Sequence, residues 1–213
     1  MQENNTILLS SAYFPPIRYF SELVRAESSY IEIHDNYIKQ SYRNRCNILS
    51  PNGIQSLSVP VERGSFHKVA MKDLRIDYSR PWQRDHLRSL KTAYNSSAFY
   101  EYLKDDIELC IEKNHVFLLD MNMEILNIIN NILELSLEIK TTVSYKAEAT
   151  NMIDLRAAIH PKTDSRKLYA ALPEYFQVFS PVLGFTPGLS ILDLIFNMGP
   201  ESFSYLKLDA QGS

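Results

Sequence analysis

Apolar and polar positions recur along the chain with a period that changes from segment to segment, and each change marks an element. Ile7 to Ser10 reads as a short strand. Pro15 and Pro16 then stand where a helix begins, because the first helical positions do not use the N–H that proline lacks. From Ile17 to Ala26, the residues Ile17, Phe20, Leu23 and Val24 recur at helical spacing. Tyr30 to His34 alternates apolar with polar residues, as a half-buried strand does. The pattern predicts a strand–loop–helix–strand unit, and a helical crossover joins parallel strands most naturally.

Cys46 to Val61 has the pattern of a β-hairpin: Pro51-Asn52-Gly53 supplies the turn, and Leu57, Val59 and Val61 alternate on the way out. Two helices are predicted next, Pro81 to Tyr94 and about Ala98 to Glu112, divided by Asn95-Ser96-Ser97. His115 to Leu119 reads as an apolar strand. Asp120 or Asn122 then caps a helix running to about Leu135. On it Ile125, Ile128, Ile129 and Ile132 share one face, which Leu126 and Leu133 widen. Ile139 to Tyr145 is a β-prone continuation, so this stretch reads as a second strand–helix–strand unit. Ser190 begins a further helix that Gly199-Pro200 ends after Met198. The expected fold is α/β: a mainly parallel sheet with flanking helices, plus a β-hairpin and a helical C-terminal part. Ile7–Ser10, Tyr30–His34 and His115–Leu119 are expected to share that sheet.

Composition narrows the class. At 213 residues, with 45% hydrophobic and 22% charged residues, the chain is expected to form one α/β domain over residues 1–213. A net charge of −3 and a pI near 6.0 lack the basic excess of a general nucleic-acid binder, so no nucleic-acid partner is expected. No run of about 18 apolar residues occurs. The polar start from Met1 to Thr6, followed by only three apolar residues, is unlike a signal peptide. The expectation is a cytoplasmic protein with no membrane span. Cys46 and Cys110 are far apart with no Cys-x-x-Cys motif, and the histidines at 34, 67, 86, 115 and 160 show no ligand spacing on a helix. Reduced, unbridged cysteines and no metal site are expected. The absence of a glycine-rich loop leaves the cofactor unspecified, as composition does the oligomeric state.

Three clusters carry candidate chemistry. Tyr13-Phe14-Pro15-Pro16 falls between the first strand and the first helix, where ligands of open α/β sheets collect. Tyr13 and Pro15 are its candidate contacts, the plain alternative being a stiffened turn that covers the core. Asp35 to Arg45 follows a predicted strand and contains little that builds a core. Arg43 and Arg45 suit a bidentate clamp on a phosphate or carboxylate, with Asn44 between them as the weaker contact. Lys39 adds a point charge, and Tyr37 or Tyr42 a stacking ring. The alternative is that the arginines pair with Asp35 or Asp73 and brace the hairpin. Trp82 and His86, four apart on the predicted Pro81 helix, share a face. His86 is the acid–base candidate because imidazole titrates near neutrality, against the alternative of a packed structural histidine. Cys46 lacks a histidine placed to activate it and is read as a hairpin residue. Ser190 is read as a helix cap.

These residues also form an ordered pattern. Tyr13-Phe14-Pro15 with Tyr19-Phe20 comes first, followed by Arg43-Asn44-Arg45 and Leu57-Ser58-Val59-Pro60-Val61. Trp82 with His86 and Tyr94, Gln177, and Leu189-Ser190-Ile191-Leu192-Asp193 ending at Gly199-Pro200 complete it. From near Ile7 to near Leu206 the chain resembles the WbqC-like family of bacterial proteins. Ser11-Ala12 stands where members often carry Gln-Pro, and Pro16 where tryptophan is frequent, so the substrate pocket is expected to differ. The resemblance implies a place in surface-polysaccharide (O-antigen-like) biosynthesis and assigns no reaction.

The expected function is a transferase acting on a phosphorylated or nucleotide-linked sugar or acyl donor. Arg43 and Arg45 hold the anion with help from Lys39, Tyr13 and Tyr37 flank the ligand, and His86 is the acid–base. The rival is a non-catalytic glycan-precursor binding or assembly protein. A deep pocket joining the Tyr13 loop, the arginines and His86 is expected of the enzyme, and a flat apolar patch of the scaffold.

Overall fold

The computed structural model describes residues 5–62, 69–145, 147–149, 151–162 and 174–211; His67 lies outside them. A parallel sheet forms from β1 (Thr6–Ser10), β2 (Ser28–Glu32), β5 (Ile139–Thr141) and β6 (Ile153–Asp154), in the order β5-β2-β1-β6. Helix α1 (Ile17–Arg25) makes the crossover from β1 to β2 and buries Ile17, Phe20 and Leu23. The register pairs Leu8 with Tyr30 and Ser10 with Glu32. Strand alternation puts these four side chains on one face, while the other carries Ile7, Leu9 and Ile31, each no more than 1% exposed.

The separate hairpin, β3 (Arg45–Ser50) and β4 (Gly53–Ser58), closes through Gly53 at φ +100°, a conformation that favours glycine. The helices α2 (Trp82–Tyr94), α3 (Tyr100–Glu112), α4 (Leu118–Ile132), α5 (Ser180–Leu183), α6 (Ile191–Met198) and α7 (Ser202–Gln211) follow. Helix α2 buries Trp82, His86, Leu90, Ala93 and Tyr94, the stripe that helical spacing predicts. Helix α6 is the hub: it is buried from Ile191 to Asn197, and α1, α2, α3 and β3 all pack on it. Ser190 caps it by accepting the Leu192 N–H. Gly199 ends it at φ +53°, where a Cβ would stand 2.5 Å from the Phe99 ring, so no side chain fits. The buried Asp193 carboxylate of α6 accepts the Tyr175 hydroxyl at 2.6 Å and the Gln177 amide at 2.9 Å. This accounts for Gln177 in the sequence pattern as a core hydrogen-bonding residue.

One expected strand is absent. His115–Leu119 does not join the parallel sheet. Phe117 makes an isolated antiparallel bridge with Arg75, the Leu118 N–H bonds the Leu74 carbonyl at 2.9 Å, and α4 begins at Leu118. A short apolar run looks alike whether it is a buried strand or a buried helix start, and here α4 begins earlier than its candidate polar caps suggest. The sheet position is taken instead by β6, a two-residue strand too short to leave a periodic signature. β2 also starts and ends two residues ahead of its predicted span. Cys46 and Cys110 are buried and unbridged, and no described helix is long and apolar enough to cross a membrane.

Candidate functional site

Because β1 and β2 are parallel, the loops that follow them leave from the same edge of the sheet. From β1 the chain steps outward through β2 to β5, then returns to the other side of β1 as β6. The crevice beside β1 is therefore the point where strand order reverses, the usual ligand position of such sheets. A row of polar side chains crosses that edge: Thr142 after β5, Glu32 ending β2, Ser10 ending β1 and Arg156 after β6.

Glu32 is fully buried, and its oxygens are well engaged. Oε1 accepts the His34 N–H at 2.9 Å and the Thr142 hydroxyl at 2.8 Å, and Oε2 faces the Arg156 guanidinium at 3.4 Å. Arg156 in turn forks onto Asp154, with Nε 2.9 Å from Oδ1 and Nη2 2.6 Å from Oδ2. Those bonds hold the Asp154 carboxyl below the usual range. A carboxylate tolerates such burial only when paired and hydrogen-bonded. Glu32 also forms part of the wall of a cavity of about 200 Å³, together with Leu8, Tyr30, Thr142, Ser144 and Met152. Between Ser10, Ser11, Tyr19, Arg43 and Arg156 lies a smaller crevice of about 10 Å³, room for about one water.

The arginine triplet divides its tasks. Residues 41–44 form turns and bends, and β3 starts only at Arg45, so Arg43 and Arg45 are not alternate residues of one strand. Arg43 lines the small crevice, 4% exposed, in an ion pair with Asp35 and with a 2.8 Å bond to the Ser10 hydroxyl. Pairing with Asp35 is the bracing arrangement named from sequence. Burial pushes the Asp35 carboxyl up, and the Arg43 charge opposes that push. Asn122 of α4 clasps the same turn, donating to the Arg43 carbonyl at 2.8 Å. Asn44 is buried and donates to the Val59 carbonyl at 2.8 Å, a hairpin brace. The side chain of the half-buried Arg45 makes no hydrogen bond or ion pair with the described residues, and its Nε is a buried donor without a partner. Burial and then the charges of Lys162, Arg43 and Arg45 hold His160 below its usual range, so a cationic cluster gathers beside the crevice. Tyr37 is half-buried with Arg45 close enough to act on its hydroxyl, and Lys39 is exposed on the adjoining turn.

Tyr13, Pro15, Trp82 and His86 are brought together elsewhere, in the core, and line neither cavity. Phe14 has φ +38°, an uncommon conformation for a bulky residue. The surroundings enforce it: Ser190 donates to the Phe14 carbonyl at 2.8 Å, and the Ile191 N–H bonds the Pro15 carbonyl at 2.9 Å. The Tyr13 hydroxyl meets His86 Nδ1 at 2.9 Å, and Trp82 packs edge-on against the imidazole at 5.1 Å. Burial pushes His86 down to about 4, against a hydrogen bond with the Ser58 backbone and the charge of Asp85.

Between pH 6.5 and about 4 the unfolded chain therefore binds a proton here that the folded chain refuses. The stability held above that window is lost as pH falls through it, by about 3 kcal/mol. Asp193 acts with the opposite sign. Burial raises its carboxyl to about 6, so its contribution falls as pH rises from 3.8 through that value. Since Asp193 is common to both proteins, comparison with a His86→Phe variant isolates the histidine. Urea unfolding at about pH 7 and about pH 4 is expected to show a smaller acid loss in the variant, by roughly 2–3 kcal/mol. Equal losses would place the imidazole in water.

Sequence reasoning did not single out Glu32, Arg156, His160 or Lys162. Each is an ordinary isolated charge along the chain; only the strand order places Arg156 beside Ser10 and Glu32.

The sequence pattern of the WbqC-like protein family matches residues 10–172, which contain the whole polar row and the arginine triplet. A relative from Mycobacterium tuberculosis (strain ATCC 25618 / H37Rv), described as uncharacterized protein Rv1507c, is 28% identical over 228 residues, covering 94% of this chain and 96% of the relative. No solved structure matches. With more than half of its length matched, this chain belongs to the WbqC-like protein family.

Proposed function

We propose that the protein is a transferase of bacterial surface-polysaccharide biosynthesis that takes a phosphorylated or nucleotide-linked sugar or acyl donor at the carboxyl edge of its parallel sheet. One observation carries this reading: Glu32 lies in the lining of the 200 Å³ cavity over β1, β2 and the residues after β5, and its carboxylate meets Arg156, which lines the crevice at the reversal of strand order. A carboxylate beside the Thr142 and Ser144 hydroxyls suits the hydroxyl groups of a sugar, and Leu8 and Met152 supply apolar contact. Arg45 and Lys162, beside His160, supply the cationic side for the donor's anionic group, with Lys39 and Tyr37 flanking it. In this reading Glu32 takes the acid–base place, while His86, sealed against Tyr13, fixes the Tyr13–Pro16 loop. The pathway follows from the family resemblance. A non-catalytic glycan-precursor binder is the second reading, favoured by the full engagement of Glu32 by His34, Thr142 and Arg156.

A thermal-shift screen with nucleotide sugars, sugar phosphates, acyl thioesters, free nucleotides and neutral sugars tests the proposal. A ligand at about 100 times its dissociation constant is expected to add roughly 2.7 kcal/mol of stability. The hits are expected to carry both a phosphate and a sugar or acyl group. Response to neutral sugars alone would overturn the anionic-donor reading, and a hit that is never turned over with any acceptor would favour the binder.

A further inference from the structure

Away from the sheet edge, Cys110, His115 and Glu124 converge from the last turn of α3, the connection after it and the second turn of α4. One sulfur, one imidazole nitrogen and one carboxylate oxygen lie within 4.8 Å of one another, and His115 Nε2 is 3.6 Å from Glu124 Oε2. Cys110 is 1% exposed and His115 6%. His115 Nε2 is buried with no hydrogen-bond partner, although it points into this cluster. The imidazole also hydrogen-bonds the Cys110 backbone. A backbone bond of that kind is how metal-binding histidines are usually oriented, leaving the other nitrogen for the ion.

We propose that these three side chains form a divalent transition-metal site suited best to zinc. The inference is independent of the ligand reading at the sheet edge. Zinc bonds of about 2.3 Å to sulfur and about 2.0–2.2 Å to nitrogen and oxygen place donors roughly 3.3–3.7 Å apart in a tetrahedron. The histidine–glutamate separation of 3.6 Å already meets that requirement, and the sulfur, within 4.8 Å of both, closes the set by approaching no more than about 1.5 Å. Thiolate and carboxylate together neutralise a doubly charged ion, which a largely buried position demands. A thiolate among the donors disfavours magnesium and calcium, which prefer oxygen. Lys113 now places its ammonium 2.5 Å from Glu124 Oε2, so this carboxylate already holds a cation. That lysine is more than half exposed and can turn to solvent when Glu124 binds the ion. Three protein donors leave a fourth position on the partly open Glu124 side, and the bound ion would tie the end of α3 to α4. Linear spacing concealed the set because its members stand on two helices and the connection between them.

The test uses the full chain without an affinity tag, titrated with Zn²⁺ and with Co²⁺ as a spectroscopic substitute. The expected result is one ion per chain, a thiolate-to-cobalt charge-transfer band, and displacement of cobalt by zinc. Cys110→Ser is expected to remove the charge-transfer band. Glu124→Gln, at a partly exposed position that spares the fold, is expected to weaken zinc binding by more than the ~10–100-fold that outer-shell changes cause. Zinc is expected to raise the thermal midpoint of the parent and to leave that of Glu124→Gln unchanged. The proposal is overturned by the absence of one-to-one binding, or by zinc affinity within about tenfold of the parent in Glu124→Gln.

Discussion

An Asp35→Ala variant is expected to lose about 3–5 kcal/mol of stability, the cost of leaving one member of a buried ion pair without its partner. Arg43 and Asp35 are only 4% and 7% exposed, so water cannot replace the lost carboxylate. The Ser10 hydroxyl would remain as a neutral acceptor for the guanidinium, and the Arg43 Nε already lacks one. The loss would propagate, because the turn that carries Arg43 is tied to Tyr13 and Asn122 through its backbone. Arg43→Ala is expected to cost less, since the stranded Asp35 carboxyl can take up a proton. The double variant is expected to fall well short of the sum of the two single losses, the mark of a coupled pair. Urea unfolding of the four proteins measures this cycle. A loss below about 1 kcal/mol for Asp35→Ala would mean that the pair behaves as a solvated surface pair.

Much of the fold is legible in the sequence where one segment states its own structure. Ile17, Phe20 and Leu23 declare α1, and Pro51-Asn52-Gly53 with the alternation of Leu57 and Val59 declares the hairpin, because burial and turn geometry act within a few residues. Where structure is settled by distant partners, local pattern fails. The run from Val116 to Leu119 is apolar enough for a strand, yet Phe117 meets Arg75 rather than the sheet, and β6 holds its place through two residues paired with Ile7 and Leu8. The same division applies to the site. Arg43 and Arg45 announce themselves by residue type, but Asp35 seals one while the other stays unpaired among the described residues, a difference set by the turn at residues 41–44. His86 looks like an acid–base residue until Tyr13, 73 positions away, closes on its Nδ1. Glu32 and Arg156 are 124 positions apart, and no local motif links them.

The largest effect on ligand binding is expected from Glu32→Gln. The substitution keeps the shape of the side chain and the bonds that an amide oxygen can accept, while removing the charge that faces Arg156 behind the cavity wall. Arg156 retains its fork onto Asp154, so the sheet edge keeps its geometry and the fold is expected to survive. A hydrogen-bonded charge lost from a buried site costs about 2 kcal/mol or more in binding, roughly a 30-fold rise in dissociation constant. Arg45→Ala is expected to weaken phosphate-bearing ligands and to spare fragments that lack the phosphate, because its guanidinium lies on the cationic side beside His160. His86→Phe changes the core beneath the Tyr13 loop without touching either cavity.

The decisive measurement is calorimetric titration of the strongest screening hit into the parent protein, Glu32→Gln and His86→Phe, each first shown to be folded. A ligand seated at the carboxyl edge of the sheet gives a dissociation constant at least about 30-fold weaker in Glu32→Gln and within a few-fold of the parent in His86→Phe. Unchanged affinity in Glu32→Gln together with loss in His86→Phe would contradict the assignment and move the site to the Tyr13–His86 side of the core.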